Sequence, residues 1–198
     1  MSRLLVATSN NHKLGEYAQL LDLPQLTLVS LRDVNIAADA PEDGDTFHAN
    51  SRQKALYYAQ KSGLPTLADD SGIAVDALNG APGVYSAHYG TPELDDAGRR
   101  RLLLANVNAC GDVPRTAHFM CVITVVFPDG REIVSEGRCD GVIAMAEAGE
   151  GGFGYDPIFF LPARGCTIAQ LSATEKNAIS HRGQALRGIK PMLEHFFA

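Results

Sequence analysis

The sequence predicts an α/β fold built on a mixed, twisted β-sheet flanked by helices. Short apolar runs alternate with helical periods through the first half of the chain, which is the pattern of strands connected by helices. Two apolar runs later flank Pro128-Asp129-Gly130, a turn signal that implies an antiparallel pair. The 198 residues are 45% hydrophobic, with the apolar residues spread along the chain, and are enough for a single domain over 1–198, or one domain with two lobes.

Taken in order, Leu4 to Ala7 is a short apolar run and reads as a buried strand. Polar residues follow, and then Leu14, Tyr17, Ala18 and Leu21 recur at helical spacing. Leu26 to Leu31 reads as a second strand. The acidic stretch Ala38 to Asp45 lacks apolar periodicity and reads as a loop. Thr46 caps a helix running to about Ser62, where Gly63 stops it. Pro65 to Ala68 is a strand that leads into Asp69-Asp70-Ser71-Gly72 at its end, and Ile73, Val75 and Ala77 alternate as in another short strand. Gly80-Ala81-Pro82-Gly83 is a turn, and Asp95 to Asn108 a helix. His118 to Phe127 and Glu132 to Gly137 form the hairpin arms. Ser172-Ala173-Thr174-Glu175 has the spacing of a capping box before the last helix, which Pro191 either kinks or divides.

Composition excludes several classes. A net charge of -6 argues against a nucleic-acid coat, whose surface is basic, while leaving room for one small anion in a local basic pocket. The four cysteines, at 110, 121, 139 and 166, form no C-x-x-C pair, and the histidines complete no zinc pattern. They read as reduced cysteines in a cytoplasmic protein. The opening apolar run is too short for a signal peptide, and no later segment is long enough to span a membrane.

The chemistry concentrates in a few segments. Gly151-Gly152-Phe153-Gly154-Tyr155-Asp156-Pro157 bares its backbone, places two aromatics among glycines and follows them with a carboxylate. That combination suits a flat, hydrogen-bonding ligand such as a nucleobase; a tight loop with two core aromatics is the plainer alternative. Thr8-Ser9-Asn10-Asn11-His12-Lys13 joins a strand to a helix, where first-turn N–H groups, short polar side chains and a lysine favour a phosphate. It lacks the P-loop spacing, and a capped helix with a solvated lysine is its plain reading. Asp69 and Asp70 are adjacent carboxylates that need a cation or donors; with Glu42 from the acidic loop they suit Mg²⁺, and a backbone-capping turn is the alternative. Asn50 and Lys54 lie one turn apart on the second helix. On the last helix, 175, 178, 179 and 182 share a face, with Lys176 beside it; Lys176, His181 and Arg182 either donate to phosphate or a base carbonyl or form a solvated basic face.

The segments TSNNHK at 8–13, EDGDTF at 42–47, LADDSGIAVDAL at 67–78, GAPGVYSAHY at 80–89, GGFGYDPIF at 151–159 and EKNAISHRGQAL at 175–186 occur in that order. Together they closely resemble the bacterial form of the Ham1/RdgB family of inosine/xanthosine triphosphate pyrophosphatases, over nearly the whole chain. The resemblance implies an elongated, two-lobed fold of the Ham1/Maf type with a central ligand cleft, hydrolysis of ITP, dITP and XTP to monophosphate and pyrophosphate, Mg²⁺ dependence and a homodimer. Carried across residue by residue, Thr8, Ser9, Asn10, Asn11, His12 and Lys13 match the phosphate-side loop, Asp70 the catalytic and metal-binding carboxylate, and Ser71 its substrate-contacting neighbour. Phe153, Gly154, Tyr155 and Asp156 match the base-side loop, and Lys176, His181 and Arg182 the remaining substrate contacts. Glu42 matches an acid of the metal loop, where Pro41 replaces a neighbouring acid. Lys54 joins the phosphate contacts in the mechanism this implies. Ser9 stands where many relatives have glycine, which predicts some backbone strain there. Ala49 stands where relatives often carry Glu. A Maf-type pyrophosphatase reading another base, and a non-catalytic nucleotide sensor, are the competing classes; the intact Asp69-Asp70 pair argues against the sensor.

Overall fold

The computed structural model describes residues 2–197. The elements are β1 (Ser2–Val6), α1 (Asn11–Leu20), β2 (Leu26–Ser30), α2 (Phe47–Ser62), β3 (Thr66–Val75), α3 (Asp96–Ala109), β4 (Thr116–Val126), β5 (Glu132–Ile143), β6 (Phe159–Leu161), β7 (Cys166–Thr167), α4 (Ala173–Ile179) and α5 (His181–Phe197), with short 3-10 turns between several of them. One seven-stranded sheet runs in the order β2-β1-β3-β4-β5-β6-β7. β1 pairs in parallel with β2 and β3, while β6 pairs antiparallel with β5 and β7, so the sheet is mixed. No helix among the described residues is long and apolar enough to cross a membrane.

Local chemistry explains most boundaries. Asn10 caps α1 by accepting from the backbone N–H groups of His12 and Lys13. Thr46 caps α2, and Gly63 ends it in the left-handed region at φ 66°. Ser172 and Glu175 form the capping box that opens α4. Phe127 and Arg131 close the β4–β5 turn through a backbone hydrogen bond of 2.9 Å.

The structure differs from the sequence reading in three places. Residues 66–75 form one continuous strand, so Asp69-Asp70-Ser71-Gly72 lies inside β3 and makes no turn. Adjacent carboxylates can stay in a strand because successive side chains point to opposite faces, and each of these two meets its own partners. The last helical segment breaks at Ser180, which is extended at φ -64°, ψ 154°, while Pro191 lies within α5. The shared face expected for 175, 178, 179 and 182 therefore does not exist. The short strands β6 and β7 were not readable from period or length.

The chain forms two compact units: Met1–Asp70, Cys121–Gly137 and His181–Ala198 make the first, and Ser71–Met120 with Arg138–Ser180 the second. In the first, β1 buries both faces. Leu4 and Val6 pack with Tyr17 of α1 and Leu21 at its C-cap, Ile123 and Val125 of β4, and Leu186, Ile189 and Leu193 of α5. Leu5 and Ala7 pack on the other side with Ala55, Tyr58 and Ala59 of α2. The alternation is the period-2 signature of a strand covered on both faces. The second unit has its own core of Ile73, Val75, Leu103, Val107, Phe119, Ile143 and Phe159, with the Phe119 and Phe159 rings 4.6 Å apart.

α5 lies directly on β5 at Gly137. A Cβ built there would sit 1.9 Å from the His181 carbonyl oxygen and 2.6 Å from the Ala185 nitrogen, both backbone atoms. Gly137→Ala should therefore destabilise the fold by about 1–3 kcal/mol through overpacking, measured as a lower urea midpoint with an unchanged slope.

Candidate active site

In the first unit the site is organised around Asp69. Its carboxylate is 1% exposed and accepts from Lys13 Nζ at 2.7 Å and from Arg182 Nη2 at 3.5 Å. Lys54 Nζ donates to its backbone carbonyl at 3.2 Å. α1, α2 and α5 each bring one cation to this point. Burial pushes the Asp69 carboxyl up, but Lys13, then Arg182 and Lys54, more than reverse this and hold it well below the usual carboxylate range. The neighbouring Tyr17 hydroxyl and Cys121 thiol are driven the other way, by burial and then by the Asp69 charge; Cys121 is pushed up to about 12 and stays a thiol.

Asp70 points the opposite way and accepts from Asn50 Nδ2 at 3.0 Å. Burial raises its carboxyl above the ordinary range, against the lowering pull of Asn50, Lys54 and Lys13. Asn50 uses its other end on the acidic loop, where its Oδ1 accepts from Gly44 N at 2.7 Å. It thus ties the loop that carries Glu42 to the strand that carries Asp70. Glu42 pairs with Lys54 at 2.8 Å. Burial lowers the Lys54 ammonium, but the Asp69 and Glu42 charges reverse this and leave it raised, so it stays charged.

The phosphate-side loop is tied down by its own side chains. Thr8 Oγ1 accepts from Asn10 N at 3.1 Å, and Asn10 Oδ1 takes the His12 and Lys13 N–H groups at 2.9 and 3.2 Å. Those N–H groups serve the cap, which leaves Lys13 as the loop's strong point of attraction for an anion. Ser9, Asn11 and His12 are exposed on the same loop. Ser9 carries none of the strain expected of it: Asn35 and Asn79 are the non-glycine residues at positive φ among those described. A cavity of about 670 Å³ adjoins the loop, lined by Thr8, Ser9 and Asn11 and by Arg32, Asp33 and Asp39 after β2. With one cation facing two carboxylates, it is not an anion pocket.

The second unit holds the glycine-rich loop. Asp156, 3% exposed, accepts from Phe153 N at 2.9 Å and from Lys176 Nζ at 2.8 Å. The Lys176 ammonium stands 4.4 Å from the Phe153 ring centroid. Asp156 thus braces both the loop backbone and the lysine. Gly152 at φ 72° has no substitute, because a Cβ there would lie 2.0 Å from the Asp156 carboxylate. Tyr155 is buried and donates to the Ser86 carbonyl at 2.8 Å, and Ser86 Oγ in turn accepts from Ile73 N at 2.9 Å. Ser71 is half-buried on β3 beside Gly72, which packs against Gly83 and Ser86. The GAPGVYSAHY segment braces the aromatic loop and the strand.

Sequence reasoning thus finds two sets of residues, one in each unit. It misplaces Arg182, which belongs with Asp69 and with Glu16 Oε2 at 2.7 Å, in the first unit, whereas Lys176 belongs to the second. His181 is buried at the start of α5. Glu16 and Asn50 both had a readable signal: Glu16 lies three residues after Lys13 on α1, and Asn50 one turn before Lys54.

A model of the Ham1 family matches residues 4–192. The chain belongs to the Ham1 family. Among its Ham1 relatives is a dITP/XTP pyrophosphatase of Geobacter sulfurreducens, 46% identical over 193 residues, covering 98% of this chain and 97% of the relative. Another, from Desulforamulus reducens, is 43% identical over 195 residues, with 98% and 97% covered. A Ham1 protein of Coxiella burnetii superposes with a TM-score of 0.91 at 40% identity, covering 98% of this chain and all of that one. In this Ham1 chain no group of three or more His, Cys, Asp or Glu among the described residues is arranged to hold a metal ion by itself. The two carboxylates expected to hold a cation, Asp70 and Glu42, are few and each has a protein partner, Asn50 and Lys54. Hard oxygen donors in that number fit a cation that keeps several waters and takes substrate oxygens, as Mg²⁺ does, and do not fit an all-protein cage.

The two neighbouring aspartates should respond oppositely to neutralisation. Asp69 is lowered in the fold, so its stabilisation is complete above the ordinary carboxylate pKa near 4 and fades as pH falls below it. Asp70 is raised, so its charge costs stability above that pKa, and the cost disappears on protonation. With chelator at neutral pH, Asp69→Asn should lose about 3–5 kcal/mol by stranding buried cations, and Asp70→Asn should raise Tm. Denaturant melts of both variants between pH 3 and 7 check the two signs.

Proposed function

We propose that this chain hydrolyses ITP, dITP and XTP to the nucleoside monophosphate and pyrophosphate, with Mg²⁺, as one Ham1 domain. The observation that carries this is the pair of adjacent buried aspartates with different partners: Asp69 anchors Lys13 and Lys54, and Asp70 sits beside them on Asn50, next to the acidic loop that carries Glu42. Likeness to dITP/XTP pyrophosphatases over nearly the full length supports it. The reading also includes a homodimer and a cytoplasmic location, as the family resemblance implies.

Lys13 and Lys54 bind the triphosphate, already held in place by Asp69 and Glu42. Asp70 accepts a hydrogen bond from the attacking water and aims it at the α-phosphorus. The new bond joins the water oxygen to the α-phosphorus, and the bond from that phosphorus to the bridging oxygen of pyrophosphate breaks. Asp70 and Glu42 would hold Mg²⁺, which supplies screening of phosphate charge. The protein's own contribution is positioning and electrostatic stabilisation.

Base choice follows hydrogen-bond polarity. The Lys176 ammonium is anchored by Asp156 and stands beside the Phe153 ring. It donates to the 6-keto oxygen of hypoxanthine or xanthine. Adenine presents an amino group there and would leave a donor unpaired, at about 1–3 kcal/mol. Arg182, committed to Glu16 and Asp69, acts on the phosphate side of the reaction through Asp69.

A pyrophosphate-release screen over ITP, XTP, ATP, dTTP and UTP with Mg²⁺ should give ITP and XTP the highest kcat/KM, with IMP and pyrophosphate as primary products. IDP and orthophosphate as first products would overturn the reaction type, and preference for dTTP or UTP would favour a Maf-type activity. Asp70→Asn should lower kcat by orders of magnitude. Phe153→Ala should weaken kcat/KM for ITP and XTP alike, by the about 1–3 kcal/mol that base stacking contributes, without admitting ATP. A folded Phe153→Ala protein with wild-type kcat/KM for ITP would remove the ring from the base site.

A further inference from the structure

Building on the base-reading role given to residues 153–156, we infer that Asp96 and Arg100 of α3 are positioning residues that set base specificity, by fixing where the backbone of Gly154 meets the purine. Gly154 N donates to Asp96 Oδ2 at 3.1 Å, and Arg100 Nη1 donates to the Gly154 carbonyl at 2.9 Å. Both polar backbone groups of one loop residue are thus taken by side chains from the start of a single helix. Arg100 Nε also donates to Glu147 Oε2 at 3.0 Å, so the same guanidinium holds a second point upstream of the loop.

The platform is rigid. Asp95 caps α3 by accepting from Gly98 N at 2.7 Å, and Leu103 and Val107 of the same helix are 0% exposed in the core of the second unit. Asp96 lies in the first turn, where the helix dipole favours a carboxylate. Arg100 is 16% exposed at its side chain, which separates it from an ordinary solvated surface pair. Its planar fork serves two acceptors at once, which a lysine ammonium does less well.

Gly154 needs holding. It sits at φ 57°, and a Cβ built on it meets nothing within 4 Å. Crowding therefore does not place this residue, and a loop glycine in open space has other conformations within reach. The two clamps select one of them. A base is discriminated only if the groups that read it are in place beforehand; a loop able to shift can also accommodate a 6-amino purine. α3 therefore acts on the base through Gly154, without touching it.

The test measures steady-state pyrophosphate release from ITP, ATP and a ribose triphosphate that lacks a base, together with Tm, for Arg100→Leu, Asp96→Ala and Asp96→Asn. Arg100→Leu and Asp96→Ala should raise KM for ITP about tenfold, the scale of one charge-assisted hydrogen bond, with kcat little changed. They should lower the ITP-to-ATP ratio of kcat/KM, and the loss on the base-free substrate should be much smaller. Asp96→Asn keeps an oxygen that accepts from Gly154 N and should restore most of the loss. Where Arg100→Leu fails to fold, Asp96→Ala, at an exposed position, carries the test. Folded variants with wild-type KM and wild-type ITP-to-ATP ratio, or an equal loss on the base-free substrate, overturn the inference. A wild-type chain that releases no pyrophosphate from ITP instead overturns the activity on which it rests.

Discussion

A buried carboxylate surrounded by cations organises the first unit. Asp69 lies in the interior at the middle of β3, where an unpartnered charge would be prohibitively costly. The fold meets this constraint by drawing Lys13, Lys54 and Arg182 onto it from three different helices. Each of those helices then has a fixed place relative to the strand. The arrangement also solves a chemical problem. Two lysines brought close together would repel each other; Asp69, its carboxylate paired with Lys13 and its carbonyl bonded to Lys54, gathers them at one point. Asp69 thus orders three helices from one buried position, while its neighbour Asp70 meets a different partner, Asn50.

The second unit uses the same device on a smaller scale. Asp156 braces a backbone N–H and an ammonium together, and its carboxylate occupies the space that makes glycine obligatory at position 152. Here the anion orders a loop where Asp69 orders helices. In both places a carboxylate that sequence reasoning would offer to a ligand is spent on protein partners. Acidic residues in a phosphate-handling protein need not repel its substrate when each is neutralised by the protein cations it holds.

Much of this was legible beforehand. The α/β class, the mixed sheet, the caps at Thr46 and Ser172 and the stop at Gly63 all follow from local chemistry, which acts within a few residues. The candidate residues were found because unusual types cluster in short segments: glycine with aromatics at 151–157, paired acids at 69–70. Their grouping was harder to read. Arg182 and Lys176 are six positions apart and read as neighbours on one helix, yet an extended Ser180 sends them to different clusters. Nothing in Ser180 itself announces a break, since serine is common both inside helices and at their ends. The strand through Asp69-Asp70 was hidden because its charges are neutralised by residues far along the chain, and a propensity scale cannot see those partners. The braces Ser86, Asp96 and Arg100 escaped notice for a similar reason: they act on loop backbone, and backbone acceptors leave no trace in a sequence.

The first unit is discontinuous, and this bears on how the protein is made. Leu4 and Val6 of β1 complete their packing against Leu186, Ile189 and Leu193 of α5, the last helix of the chain. During synthesis the opening strand emerges from the ribosome long before the helix that covers it. Until then its apolar face must be shielded by transient collapse or by a chaperone, and the Asp69 carboxylate lacks the guanidinium of Arg182. The charge centre that gathers Lys13 and Lys54 is therefore among the last features to assemble, so a nascent or truncated chain lacking α5 would carry the whole glycine-rich loop cluster and still have an incomplete Asp69 centre.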